Sequence, residues 1–143
     1  MLYTLKSSGK KYAYDSGSGA VIQLNALQFK MLGAILPPLT SVCPTSLRYE
    51  LAKFDSMDVE EAYEYIYSLA CDGLIYKESE GTVKIITEGD NACSDLALAG
   101  ELIALAFADA SKEFKFEIVG NALAEDIKAI AAGEAVKLGK KII

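Results

Sequence analysis

Histidine is absent from all 143 residues of the sequence. This absence excludes the Ser-His-Asp and Cys-His nucleophile arrangements, His-ligated zinc sites and an ordinary imidazole base acting near neutral pH. Those arrangements include many of the enzyme sites that a sequence can reveal. The sequence therefore gives little support to an enzyme, and we expect no catalytic residues.

Cysteine is scarce, because only Cys43, Cys71 and Cys93 occur and no two of them form a CxxC pair. Their number and spacing predict neither a zinc site nor a disulfide framework. We expect no bound metal and no cofactor. The N-terminal residues also lack the basic and long apolar stretches of a secretory signal, and no apolar run approaches the roughly 20 residues of a membrane span. A soluble, cytoplasmic protein is the expectation.

Clustered basic residues are missing as well. The chain has 14 Lys and Arg against 20 Asp and Glu, a net charge of −6. Binding to nucleic-acid phosphates requires several neighbouring cations. Six acidic residues and no Lys or Arg lie between Asp55 and Tyr76, so a DNA-recognition helix in that segment would repel phosphates. We expect no nucleic-acid partner.

The chain is 52% apolar, which suits one domain or two small ones. Turn signals at residues 7–10 and 15–19 separate three short predicted strands at 3–6, 11–14 and 20–24. Asn25 then caps a predicted helix that Pro37-Pro38 ends. Its apolar residues recur at helical spacing, at Ala26, Phe29, Leu32, Gly33 and Leu36.

Two further helices complete the first segment, a short one at 45–54 and a longer one with N-cap candidates at 55–58 and an end at Gly73. The longer helix has an apolar stripe of Val59, Ala62, Ile66 and Leu69. Tyr63 and Ala70 lie at one margin of the stripe and Tyr67 lies further round. The outer face carries Glu60, Glu61 and Glu64.

A different pattern begins after residues 77–81, where we place a domain boundary. Strands at 82–87 and 114–119 alternate with helices at 92–110 and 122–138, and a third strand starts at Lys140 after a Gly139 C-cap. Strand, helix, strand, helix, strand is typical of a parallel α/β unit. We therefore predict one domain at 1–78 and a small α/β fragment at 82–143.

Residues 14–25, which read YDSGSGAVIQLN, and residues 70–75, which read ACDGLI, carry a resemblance to a known family. Together with three strands followed by three helices, they resemble the RiPP recognition element. That family is a winged helix-turn-helix module that binds the leader of a ribosomally made, later modified peptide. The resemblance implies an α+β winged-helix fold for residues 1–78.

Residues 82–143 resemble the start of a radical S-adenosylmethionine peptide maturase. In that family three cysteines of a CxxxCxxC loop hold a [4Fe–4S] cluster, and the matching positions here are Asp90, Ser94 and Ala97. The family's Gly-Gly-Glu-Pro matches residues 119–122, which read VGNA. The resemblance thus implies a truncated, degenerate pseudoenzyme.

The winged-helix resemblance implies a peptide site in which an extended leader adds to the third strand and contacts the third helix. The predicted contacts are Val21, Ile22, Gln23, Leu24, Tyr63, Ile66, Tyr67 and Ala70. Each has a simpler interpretation as part of the core. That interpretation is strongest for Ile66, whereas Tyr63 and Tyr67 fit either role.

We therefore predict a non-catalytic peptide chaperone that presents a precursor peptide to a separate radical SAM maturase. Residues 82–143 would bind that maturase or a second copy of the chain, because the edges of an incomplete parallel sheet are normally covered. Two alternatives remain open at this point: a truncated form of a catalytic radical SAM maturase, and a winged-helix transcriptional regulator.

Overall fold

The computed structural model describes residues 1–78 and 80–143. Over these residues the fold is α+β, with an antiparallel three-stranded sheet, five helices and a parallel three-stranded sheet. The elements occur in the order that the sequence predicts. They are β1 (Leu2–Ser7), β2 (Lys10–Asp15), β3 (Val21–Leu24), α1 (Ala26–Ala34), α2 (Thr45–Glu50), α3 (Ser56–Cys71), β4 (Thr82–Ile86), α4 (Leu96–Asp109), β5 (Glu113–Val119), α5 (Ala124–Leu138) and β6 (Lys141–Ile142).

The antiparallel sheet has the order β1-β2-β3 and contributes buried residues to a core on each of its faces. Side chains alternate between the faces of a sheet, so the paired residues Ala13 and Ile22 share one face while Tyr14 and Val21 share the other. The first pair belongs to a core with α1 and α3. The second pair belongs to a core with β4, α4 and α5.

The first core follows the predicted stripe of α3, since Val59, Ala62, Ile66 and Leu69 are all buried. The helix α1 contacts all three strands and packs against α3. The apolar residues that recur at helical spacing in the sequence do not form the buried face of α1, since only Leu32 among them is buried. The buried residues of this helix are Leu27, Met31 and Leu32. Leu36 is 84% exposed.

The exposure of Leu36 has a simple cause in the backbone. The helix ends at Ala34, and Ile35 is extended with φ −110 and ψ 153. A residue before proline is disfavoured in the helical region, so the chain leaves the helix before Pro37. Leu36 therefore lies beyond the last turn and has no place on the buried face.

The parallel sheet has the order β4-β5-β6. Along β5, Phe114, Phe116 and Ile118 face the second core, while Glu113, Lys115 and Glu117 are exposed. The Nζ atom of Lys84, in β4, lies 3.7 Å from Oε2 of Glu117, in β5. One face of this sheet is therefore covered by α4 and α5, and the other carries charged side chains.

The helix α4 begins at Leu96, four residues later than predicted. The Asp95 carboxylate accepts a hydrogen bond from the N–H of Ala97 at 2.8 Å, which fixes the helix start there. Before it, the Cys93 N–H donates to the Ile86 carbonyl at 2.7 Å. This bond holds residue 93 beside the end of β4, where it cannot join the helix.

Residues 15–19 connect the two sheets. The Lys84 N–H donates to the Ser16 carbonyl and the Ile86 N–H to the Gly19 carbonyl, both at 2.9 Å. The Tyr14 hydroxyl donates to the Lys84 carbonyl. This loop therefore occupies the edge of β4 that faces away from β5.

The buried Asp15 carboxylate organises that loop. It accepts N–H groups from Gly17 at 2.9 Å, Ser18 at 3.0 Å and Lys77 at 3.2 Å. The Ser18 hydroxyl adds a bond to the Leu74 carbonyl at 2.7 Å. The segment after α3 is thereby attached to the turn between β2 and β3.

Within the described residues, no helix is both long enough and apolar enough to cross a membrane.

A substitution at Gly17 tests this attachment, because an added Cβ would overlap the Lys77 carbonyl oxygen. We expect Gly17→Ala to lower the free energy of unfolding by about 1–3 kcal/mol, the usual cost of overpacking. Urea denaturation followed by circular dichroism measures the change.

Gly33→Ala is the matched control, since nothing lies within 4 Å of the added Cβ and the residue is inside α1. This substitution should stabilise the protein by about 0.5–1 kcal/mol. Equal stability of the two variants would contradict the close packing of residue 17 on residue 77.

Candidate functional site

The predicted peptide-binding strand is the edge of the antiparallel sheet. Within the described residues, β3 is paired only with β2, with Ala13 opposite Ile22 and Tyr12 opposite Gln23. An edge strand presents main-chain N–H and C=O groups that can pair with a further strand. The topology that the peptide-binding hypothesis requires is therefore present.

Only a short part of this edge is open. The Val21 N–H donates to the Asn91 carbonyl at 2.8 Å, and at the other end the Asn25 N–H donates to Gln28 Oε1 at 2.9 Å. Main-chain groups alternate in direction along a strand, so the Gln23 N–H points to the same side as that of Val21. Gln23 is exposed and lies between these two occupied positions.

Most of the side chains predicted to contact a peptide lie in the cores. Tyr63 is 1% exposed, and its hydroxyl donates to the Thr40 carbonyl at 2.6 Å, so this residue fixes the chain between α1 and α2. The other members of this buried group are Val21, Ile22, Leu24 and Ile66. These side chains are not available to a ligand at the surface.

The predicted residues that remain accessible are Gln23, Tyr67 and Ala70. Gln23 is exposed, while Tyr67 and Ala70 are half-buried against the first core. The Cys71 thiol beside Tyr67 raises the pKa of that phenol further above physiological pH, and a tyrosine is neutral there in any case. A neutral phenol with one buried edge can pack on an apolar side chain and also form a hydrogen bond.

The positions that match the cluster cysteines lie on the surface. Asp90, Ser94 and Ala97 are all exposed. Cys93 is fully buried, its Sγ lies 3.3 Å from the Asp95 carbonyl oxygen, and burial raises the pKa of its thiol. The one cysteine of this loop is therefore a component of the second core.

The carboxyl ends of β4 and β5 are joined by a side chain that sequence reasoning missed. Glu88 Oε1 accepts the N–H groups of Asn121 at 3.0 Å and Ala122 at 2.8 Å. Gly120 makes this approach possible, with φ +118 and only 2.7 Å between an added Cβ and Thr87 Oγ1. Two N–H groups of residues 119–122 thus bind a carboxylate of their own chain.

A second surface feature was also missed, a cavity of roughly 820 Å³ between α2 and the first turns of α3. We call it the α2–α3 groove. Tyr49 and Met57 line it and are 79% and 70% exposed. The sequence holds one signal for it, because Met57 shares the outer face of α3 with Glu60, Glu61 and Glu64 instead of the buried stripe. None of the predicted peptide contacts lines this groove.

No protein-family model matches the chain. A search of curated proteins finds no match either. A proposal of function therefore rests on the geometry of the described residues and on the motifs that resemble known families.

Thiol accessibility provides a direct check on this part of the structure. Cys71 is exposed, whereas Cys43 and Cys93 are buried and have raised thiol pKa values. We expect N-ethylmaleimide at about pH 8, close to the ordinary thiol pKa, to modify Cys71 alone in the folded protein. Mass spectrometry of the digested protein identifies the modified residue.

Unfolding in guanidinium should then make all three cysteines reactive, which serves as the positive control. Rapid modification of Cys93 in the folded protein would contradict its place in the second core.

Proposed function

We propose that this protein is a non-catalytic, leader-peptide-binding accessory protein of ribosomal peptide modification. It acts in the cytoplasm as a peptide chaperone that presents a precursor to a separate radical SAM maturase. In this proposal residues 1–78 form a winged helix-turn-helix recognition element. Three antiparallel strands followed by three helices, in that order along the chain, support the assignment.

One observation carries the proposal: β3 is an edge strand with an exposed Gln23 between two occupied main-chain positions. A leader peptide would pair with the main chain at Gln23 by β-augmentation. Its neighbouring side chains would then pack on Tyr67 and Ala70, the accessible members of the predicted site on α3. Ile22, Leu24, Tyr63 and Ile66 belong to the first core, against which Tyr67 and Ala70 pack, whereas Val21 belongs to the second core.

The absence of catalysis is part of the proposal. Asp90, Ser94 and Ala97 stand at the positions where the resembling maturases have cluster ligands, and a carboxylate or hydroxyl does not replace the thiolates of such a cluster. The Glu88 carboxylate also occupies the N–H groups of Asn121 and Ala122. Both features favour a pseudoenzyme over a truncated active maturase.

The acidic surface of α3 disfavours the transcriptional regulator. Asp58, Glu61 and Glu64 are exposed on the helix that would enter the major groove. Carboxylates there would face the DNA phosphates and repel them.

The partner maturase, or a second copy of this chain, would bind through residues 82–143. The outer edge of β4 is already paired with residues 16–19, and the open face of the sheet carries charged residues. Among the strands of this segment that the structure describes, the outer edge of β6, at Lys141–Ile142, has no strand partner. A partner that adds a strand to the parallel sheet would pair there.

Titration calorimetry with synthetic leader peptides, taken from small precursors encoded beside this gene, tests the proposal. Gln23→Pro removes the outward N–H without removing a bond to β2, and Gln23→Ala keeps it. We expect the proline variant to bind at least about tenfold more weakly than the alanine variant, a difference of about 1.4 kcal/mol.

Tyr67→Ala should weaken binding to a similar extent, and Tyr65→Ala is its control on the exposed side of the same helix. Circular dichroism verifies that each variant is folded. Equal affinity of the proline and alanine variants would reject the edge-strand site, and the absence of any binding tighter than about 1 mM would reject the function.

A further inference from the structure

The α2–α3 groove exposes two large side chains, Tyr49 and Met57, beside a buried apolar floor. Tyr49 and Met57 project at its mouth, the half-buried Phe54 closes one end, and the buried residues Leu51 and Val59 form its floor. Apolar side chains rimmed by charged ones are a feature of interaction sites. A methionine at the mouth adapts easily to different ligand shapes.

One side of the groove is acidic. Glu60, Glu61 and Glu64 line it from α3. Glu60 is paired with Arg48, whereas neither Glu61 nor Glu64 has an ion-pair partner among the residues that the structure describes. Two unneutralised carboxylates beside an apolar cavity attract a ligand that carries both positive charge and apolar groups.

Two lysines lie beside Phe54 but outside the lining of the groove. The ammonium groups of Lys30 and Lys53 each lie 5.8 Å from the centre of the Phe54 ring, in cation–π geometry. The charged side chains of the lining that have no ion-pair partner among the described residues are therefore Glu61 and Glu64, and they determine the charge that a ligand of the groove should carry.

We propose that the α2–α3 groove binds a cationic segment of a partner polypeptide that inserts apolar side chains between Tyr49 and Met57. The Lys or Arg residues of the segment lie against Glu61 and Glu64, and its apolar side chains fill the cavity towards Phe54. The volume of roughly 820 Å³ is within the range of ligand cavities. This inference does not depend on leader binding, because none of the predicted leader contacts lines the groove.

A fluorescein-labelled peptide of Leu and Lys, with Leu at i, i+3, i+4 and i+7, is the probe, and fluorescence anisotropy is the measurement. Its counterpart with Glu in place of Lys tests the charge requirement. We expect the Lys peptide to bind at about 0.1 M salt, where the Debye length is about 10 Å, and the Glu peptide not to bind. The double variant Glu61→Lys with Glu64→Lys should bind the Lys peptide at least about tenfold more weakly.

Matched controls separate this site from general attraction to an acidic protein. Glu101→Lys with Glu113→Lys makes the same change in net charge at exposed positions of α4 and β5 and should leave the affinity within about twofold of the original protein. For the apolar contact, Tyr49→Ala should weaken binding about tenfold. Val136→Ala, at a residue 81% exposed on α5, should have no effect.

Three results would overturn the proposal. The first is no binding of the Lys peptide to the unaltered protein. The second is equal weakening by the groove variants and their controls, which would mean non-specific charge attraction. The third is a dimer in analytical ultracentrifugation that Tyr49→Ala dissociates, which would mean that a second copy of the chain covers the groove. Loss of leader binding alone, with this peptide still bound, would reject only the function proposed above.

Discussion

The buried carboxylate of Asp15 is the constraint on which the arrangement of both sheets depends. It accepts three main-chain N–H groups, two from its own turn and one from Lys77, which lies 62 residues away. A buried carboxylate is tolerated only where such bonds replace its hydration. Because these bonds shape the turn, the Ser16 and Gly19 carbonyls face β4 and accept its N–H groups. The first sheet, the segment after α3 and the parallel sheet are thereby held together at one place.

This connection changes how residues 82–143 relate to the proposed peptide site. Those residues cover the face of the antiparallel sheet that carries Tyr14 and Val21. Among them, the Asn91 carbonyl accepts a hydrogen bond from the Val21 N–H. The open edge is consequently reduced to the surroundings of Gln23. The second segment therefore defines one end of the site in the first segment, in addition to any role in binding a maturase.

The sequence predicts the elements well because their signals are local. Asn25 and Gln28 form a capping box across three residues, the Asp55 carboxylate caps α3, and Gly139 ends α5 with φ +67. Such signals act within one turn of the chain. The order of the elements could be predicted from local signals of this kind, whereas the end of α1 and the start of α4 each differ from the prediction by a few residues.

The site was less predictable because access depends on distant residues. Tyr63 and Tyr67 have similar positions on a helical wheel. The Tyr63 side chain is nevertheless buried and its hydroxyl donates to the Thr40 carbonyl, whereas Tyr67 is accessible. The hydrogen bonds from the Val21 N–H to the Asn91 carbonyl and from the Asn121 N–H to the Glu88 carboxylate have no pattern in the sequence, because each joins residues far apart in the chain. The same holds for the α2–α3 groove, which requires the packing of two helices.

The small size of the open edge determines where the affinity for a leader would come from. Main-chain bonds at a single residue supply about 1–3 kcal/mol in total, whereas a micromolar complex needs about 8 kcal/mol in addition to at least about 4 kcal/mol for lost translational and rotational freedom. The difference is about 10 kcal/mol, which corresponds to about 400 Å² of buried apolar surface. Gln23 cannot provide that area. The leader would therefore need large apolar side chains packed along α3 around Tyr67, with the main-chain pairing at Gln23 setting its direction and register.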